Sequence, residues 1–145
     1  MEKKTTDELR HEIKAATDIE DYLNSNREEL ALRSLTQYLD TLLSRKGINK
    51  AEVVRGSLLS RAYVYQIFSG EKMPSRDKLI ALAFGLHLSE EEAQALLKVS
   101  KNQELYARDR RDAVILFALQ RNMPIFKANE LLFEHGLETL GVREE

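Results

Sequence analysis

The sequence predicts an all-α protein, and three observations support that fold class. Apolar residues recur at intervals of three and four along most of the 145-residue chain, as they do on one face of a helix. No stretch shows the sustained alternation of apolar and polar residues that is typical of strands. Six Gly and two Pro are too few for an all-β protein with many turns.

The first segment is predicted to be helical from its apolar stripe, which runs from Leu9 to Leu23. Capping signals at Thr5 and at Thr17 leave open whether it forms one helix or two short ones. The polar residues 24–26 predict a break before the next helix.

The later helix boundaries follow from glycine, proline and capping residues. These signals predict one helix that ends at Gly47, a short one near Asn49–Gly56, and one that begins at Ser60 and stops before Ser69-Gly70. A further helix opens at Pro74-Ser75 and ends near Gly85, and the next starts at Ser89 with Glu92 completing a capping box. Two more are predicted at 108–121 and 125–134. Because residues 113–119 are all apolar, the helix that contains them is expected to be central and buried.

A weak internal repeat joins the last four of these helices. Residues 76–105 align without gaps on residues 111–140, with eight of thirty positions identical. Two similar helical hairpins would explain the match, but helical periodicity alone also produces matching Leu and Ala. Only the Arg-Asp pairs at 76–77 and 111–112 are identical residues that helical periodicity does not explain.

Composition and charge limit the classes of function. The chain has no Cys, which excludes disulfide scaffolds, thiolate metal sites and a cysteine nucleophile. Residues 1–30 carry 5 basic and 9 acidic side chains, residues 31–88 carry 9 and 4, and residues 89–145 carry 8 and 11. A basic middle, net +5, between acidic flanks indicates an anionic partner, although chance clustering of solvated charges gives the same pattern.

The basic middle contains an ordered set of motif residues. They are Gly47, Ile48-Asn49-Lys50-Ala51-Glu52-Val53-Val54, Leu59-Ser60-Arg61-Ala62-Tyr63-Val64-Tyr65-Gln66-Ile67, Gly70 and Pro74-Ser75. This segment resembles the helix-turn-helix of the lambda-repressor-like (XRE and Cro/C1) regulators. The resemblance covers about residues 34–100. It implies a five-helix DNA-binding domain, which an N-terminal helix and a C-terminal helical hairpin would extend.

The third helix of that domain, near residues 60–68, would enter the major groove. Its apolar residues are expected to pack inward, which leaves Arg61, Ala62, Tyr65 and Gln66 on the outer face as candidate base contacts. Arg61 suits guanine, Gln66 suits adenine, and Ala62 suits the thymine methyl group. By similarity to the family, the phosphate contacts would come from Lys50, with Asn49, Ser60, Ser69 and Lys72 as further candidates.

The chain departs from the family at the turn and in one pair. Leu58 stands where the family usually has Gly, so we expect a strained or reshaped turn in which Gly56 takes part of that role. Leu43 and Phe68 stand where many members have an Arg–Glu pair, and an apolar pair can replace a buried ion pair without net loss.

Other signals are weaker. The three His residues are far apart, and no catalytic motif or phosphate loop is present, so we expect no enzyme, no cofactor and no metal site. The charged run 108–112 is interpreted as a solvated helix start with local ion pairs. Ile125 and Phe126 belong either to the core or to an exposed patch for a partner.

The sequence therefore predicts an acidic helical extension (1–33), a DNA-binding domain (34–100) and a C-terminal helical extension packed on it (101–145). The expected function is sequence-specific transcriptional regulation in the cytoplasm, with double-stranded DNA as partner and no membrane contact. The family's habit implies a homodimer, and the N- or C-terminal helices could bind a regulatory protein. The alternative is a protein-interaction adaptor on the same fold that no longer binds DNA.

Overall fold

A computed structural model describes residues 4–16 and 18–141 of the chain. All regular secondary structure among these residues is helical, which confirms the all-α class. The helices are α1 (Thr6–Ala15), α2 (Ile19–Ser25), α3 (Arg27–Lys46), α4 (Lys50–Ser57), α5 (Arg61–Ser69), α6 (Arg76–Gly85), α7 (Glu90–Val99), α8 (Arg110–Gln120) and α9 (Ile125–Glu134). Within the described ranges, no helix is both long enough and apolar enough to cross a membrane.

The first predicted segment forms two helices, α1 and α2. Thr5 caps α1 by accepting the Glu8 backbone N–H, as predicted. Asp18 caps α2, and the capping residue named from the sequence, Thr17, lies outside the described residues. The predicted break at 24–26 separates α2 from α3. Helix α3 then continues across the predicted boundary between the N-terminal extension and the next domain, at residues 33 and 34.

A small polar network ties α1 to the start of α3. The Lys4 ammonium lies 2.6 Å from the Glu12 carboxylate, which also accepts a 2.7 Å hydrogen bond from the Asn26 amide. These hydrogen bonds, first from Lys4 and then from Asn26, lower the pKa of Glu12 below its ordinary value. Asn26 itself is buried, so the network fixes the junction.

The core gathers apolar side chains from α3 to α9. Helix α3 contacts α5 and α7, and α4 contacts α5 and α6. The predicted caps Asn49, Ser60, Ser75 and Ser89 each accept a backbone N–H at a helix start. The largest fully buried side chains are Leu35, Leu39, Leu42, Ile67, Leu79, Ile80, Leu82, Leu86, Leu96, Leu97, Ile115 and Leu132.

The turn between α4 and α5 keeps a left-handed residue even though that residue is leucine. Leu58 has φ 64° and ψ 14°, so the expected strain is present. The expectation that Gly56 would share the left-handed conformation of the turn is wrong, because Gly56 lies inside α4. A Cβ at Gly56 would lie 3.0 Å from the Gly85 Cα. The glycine instead allows α4 to pack closely on α6.

We expect Leu58→Gly to raise the free energy of unfolding by about 0.5–1 kcal/mol. Leucine is strained at a positive φ, and glycine is not. The loss of burial is small because Leu58 is 45% exposed, although glycine also gains entropy in the unfolded chain. Urea unfolding of the two proteins measures the change, and a clear loss of stability would contradict the strain argument.

The weak repeat in the sequence corresponds to a repeat in the structure. Arg76 donates to Asp112 at 2.9 and 3.3 Å, and Arg111 donates to Asp77 at 2.8 and 3.0 Å. Helix α6 contacts α9, and α7 contacts α8. In the repeat, α6 corresponds to α8 and α7 corresponds to α9, so the α6–α9 contact and the α7–α8 contact are equivalent. The hairpins α6–α7 and α8–α9 are therefore related by an approximate two-fold axis.

Matching side-chain amides support the same relation. Gln94 on α7 makes two hydrogen bonds with the Leu105 backbone. Asn129, 35 residues later on α9, makes the same two with Leu140. Matching Leu and Ala cannot explain these pairs, so the sequence similarity reflects two equivalent hairpins.

Two expectations about the second hairpin are wrong. Helix α8 is not buried on all sides, since Val114 is half-buried and Phe117 is exposed. The predicted solvated helix start is present, since residues 108–110 are exposed, but the ion pairs of Arg111 and Asp112 join α6 instead of forming locally. Both differences arise because α8 packs on the first hairpin with one side only.

The capping box at α7 also joins this helix to α3. Ser89 and Glu92 cap each other's backbone N–H groups as predicted, and the Lys46 ammonium lies 2.7 Å from the Glu92 carboxylate. Burial alone would raise the pKa of Glu92, but the hydrogen bonds from Lys46 and Ser89 outweigh it and lower that pKa below its ordinary value.

Glu92→Gln should therefore lower the free energy of unfolding by about 1 kcal/mol at pH 7. A lowered pKa in the folded state stabilises the protein above the unfolded pKa, and this contribution is lost as pH falls through the folded pKa. The difference between variant and wild type should therefore shrink as the pH falls through and below the ordinary glutamate pKa of about 4.3. Urea unfolding at several pH values measures it. The exposed neighbour provides the control Glu91→Gln, which should show little change.

Candidate nucleic-acid interface

The outer face of α5 carries the four predicted base-contacting residues. Tyr63, Val64, Ile67 and Phe68 are buried, and this inward side fixes the rotation of the helix. The opposite side then presents Arg61, Ala62 and Tyr65 as exposed residues and Gln66 as a half-buried one. The predicted division of α5 into inner and outer faces is confirmed. Their contact with DNA stays a prediction.

Two cations lie beside Tyr65 at the centre of this face. The Lys50 ammonium is 5.2 Å from the Tyr65 ring centroid and 5.6 Å from that of Phe68. The Arg61 guanidinium is 5.9 Å from the Tyr65 ring. Attraction between a cation and an aromatic face orients the cations, so the first residue of α4 and the first residue of α5 are brought together around one aromatic side chain. Sequence reasoning named all three residues but not their clustering.

The other predicted phosphate contacts differ in what they can donate. Asn49 and Ser60 use side-chain oxygens to accept the N–H groups of Glu52 and Tyr63, and this leaves their own N–H and O–H donors for an anion. Ser69 donates its hydroxyl proton to the Gln66 carbonyl at 3.1 Å. Ser69 is therefore the weakest of the candidates, since it would have to break that bond to donate to a phosphate.

Lysines also flank the inner edge of α5 near Tyr63. The exposed Lys72 ammonium lies 5.9 Å from the Tyr63 ring, and the Lys78 ammonium lies 5.1 Å from it. Lys78 is buried. Lys78 could not be predicted from the sequence, because its place next to α5 depends on how α6 packs. Because it is buried, Lys78 is not itself a candidate phosphate contact.

Leu43 and Phe68 both contribute to the core. Phe68 is buried, and the half-buried Leu43 packs against the same cluster. Of the two residues expected either in the core or in an exposed patch, Ile125 is buried and Phe126 is exposed. Across the part of the chain that the structure covers, no group of three or more His, Cys, Asp or Glu side chains could hold a metal ion.

No family model matches this chain, and neither the curated proteins nor the solved structures give a significant match.

Proposed function

We propose that this protein is a sequence-specific DNA-binding transcriptional regulator that inserts α5 into the major groove. The observation that carries the proposal is the outer face of α5, where Arg61, Ala62, Tyr65 and Gln66 stand beside Lys50. This face combines side chains that read base edges with cations that suit phosphates. The lambda-repressor-like resemblance of residues 34–100 supports the same docking mode.

Charge distribution gives a second argument. The net charge of +5 over residues 31–88 contrasts with the acidic segments on either side. Binding to phosphates releases counterions, so affinity for DNA should fall steeply with salt. The helix starts at Lys50 and Arg61 would add backbone N–H donors for phosphates.

A protein-interaction adaptor is the second candidate. The observation that favours it is the set of exposed aromatic side chains on α8 and α9, which are Phe117, Phe126 and Phe133. Such side chains commonly mark surfaces for protein partners. An adaptor would show no sequence preference for DNA at any salt concentration.

Fluorescence anisotropy separates the two candidates. The labelled duplexes are the DNA upstream of the protein's own gene, a scrambled version and a library selected from random sequence, each at several salt concentrations. Specific binding that weakens steeply with salt supports the regulator. Equal, weak binding to every duplex favours the adaptor.

Arg61→Ala should weaken binding to the preferred duplex by about 1–3 kcal/mol, or roughly 5- to 150-fold, and relax base preference at one position. Lys50→Ala should weaken binding to all duplexes similarly and reduce the salt slope by about one. Arg55→Ala is the matched control, because Arg55 is exposed in a cleft beside Phe84 and Phe126 rather than on the α5 face. If Arg61→Ala and Arg55→Ala have equal effects, the proposed docking face is wrong.

A further inference from the structure

Helices α8 and α9 form an apolar groove of about 240 Å³ on the protein surface. Phe117 is 40% exposed there, and the Arg121 guanidinium covers its ring at 3.6 Å from the centroid. The residues that line the groove are Ala113, Val114, Phe117, Leu131 and His135.

The first hairpin has the same surface, but there it is covered. The equivalent positions in the first hairpin lie 35 residues earlier in the sequence. They are Lys78, Leu79, Leu82, Leu96 and Ser100, and all five are buried. Helix α3 packs on α7, and Lys78 reaches the Tyr63 ring on α5. In the first hairpin this surface is thus a helix-binding surface.

The approximate two-fold axis implies that the second hairpin carries an equivalent surface without its helix. The first hairpin holds α3 partly through Glu92, which pairs with Lys46 and Arg45. The residue equivalent to Glu92 is Lys127, which is exposed. The residue equivalent to the buried Leu86 is Arg121, which is also exposed. At these two positions an acidic and an apolar residue are replaced by basic ones, so the acidic turn of an amphipathic helix is complementary to this part of the rim.

The chain itself contains such a helix. Helix α1 has no buried residue, and its Ile13 side chain is 49% exposed. Asp7 and Glu8 make its first turn acidic. The apolar side chains continue onto α2, where Ile19 and Leu23 are 59% and 46% exposed.

We propose that α1 of a second copy of this chain binds in the α8–α9 groove, with its apolar side against Phe117 and Leu131 and its acidic turn near Arg121 and Lys127. Each copy offers one helix and one groove, so a reciprocal exchange closes a two-fold dimer without leaving either surface free. The contact uses no residue of the α5 face and forms without DNA, so it stands independently of the proposed regulatory function.

Sedimentation velocity of the full-length protein without DNA tests the proposal. Wild type should shift with increasing concentration from the 16.7 kDa monomer to a species of twice that mass. Ile13→Asp and Phe117→Asp should each raise the dissociation constant by about tenfold or more, as expected for a central apolar contact. Phe133→Asp is the matched control, because Phe133 lies on α9 outside the groove and is 79% exposed. Circular dichroism confirms that each variant is folded.

Mixing the two disruptive variants identifies the occupant of the groove. Ile13→Asp keeps an intact groove and Phe117→Asp keeps an intact helix, so the mixture should form a heterodimer more readily than either variant forms a homodimer. A dimer that Phe117→Asp disrupts and Ile13→Asp leaves intact would mean that two grooves face each other, which overturns the proposal. A wild type that stays monomeric at high micromolar concentration, or that Phe133→Asp disrupts equally, also overturns it.

Discussion

Replacing Gly85 by alanine is expected to lower the free energy of unfolding by about 2 kcal/mol. A Cβ at this position would lie 2.6 Å from the Val53 carbonyl oxygen and 3.0 Å from the Ser57 Cβ. Both neighbours belong to α4, and the nearer one is backbone, which cannot rotate away. Overpacking of this kind costs about 1–3 kcal/mol and sometimes more, against a gain of about 1 kcal/mol in helix propensity.

The matched control is Gly47→Ala, since a Cβ at Gly47 would meet no atom within 4 Å. Gly47 has φ 64°, so its replacement costs only the strain of a left-handed alanine, about 1 kcal/mol. Urea unfolding of both variants compares the two costs. Equal losses would show that α4 and α6 can separate readily, and the close approach would then contribute little to stability.

Local signals in the sequence were sufficient to predict most helix boundaries. A cap such as Ser60 or Ser89 acts on a backbone N–H only three residues away, so neighbouring residues determine it. The outer face of α5 was equally predictable, because a helical period divides buried Val64 and Ile67 from exposed Arg61 and Tyr65.

Features that depend on two distant segments could not be predicted in this way. The close approach of Gly56 to Gly85 requires the crossing of α4 and α6 to be known. Lys50 and Arg61 meet around Tyr65 only because α4 and α5 pack together. The repeat was visible in the sequence, but the structure was needed to show that its arginines pair with the other hairpin.

Those arginines give the second large effect, because the two equivalent pairs differ in burial. Arg76→Ala should lower the free energy of unfolding by about 3 kcal/mol, since removing one partner of a buried pair leaves an unpaired charge. Asp112 is 6% exposed. Arg76 also donates to the backbone carbonyls of Gln103 and Glu104 at 2.8 and 3.1 Å, and these bonds would be lost as well.

Arg111→Ala removes the equivalent arginine and should cost only about 1 kcal/mol. Its partner Asp77 has a side chain that is 45% exposed, so water can solvate the carboxylate that remains. Thermal and urea unfolding of both variants measure the difference. Adding Asp112→Asn to Arg76→Ala should recover part of the loss, because a neutral amide then replaces the buried carboxylate while its carbonyl oxygen can still accept the Tyr106 N–H. If the double variant is no more stable than Arg76→Ala, the arginine stabilises the fold through its packing and backbone contacts rather than through the Asp112 charge.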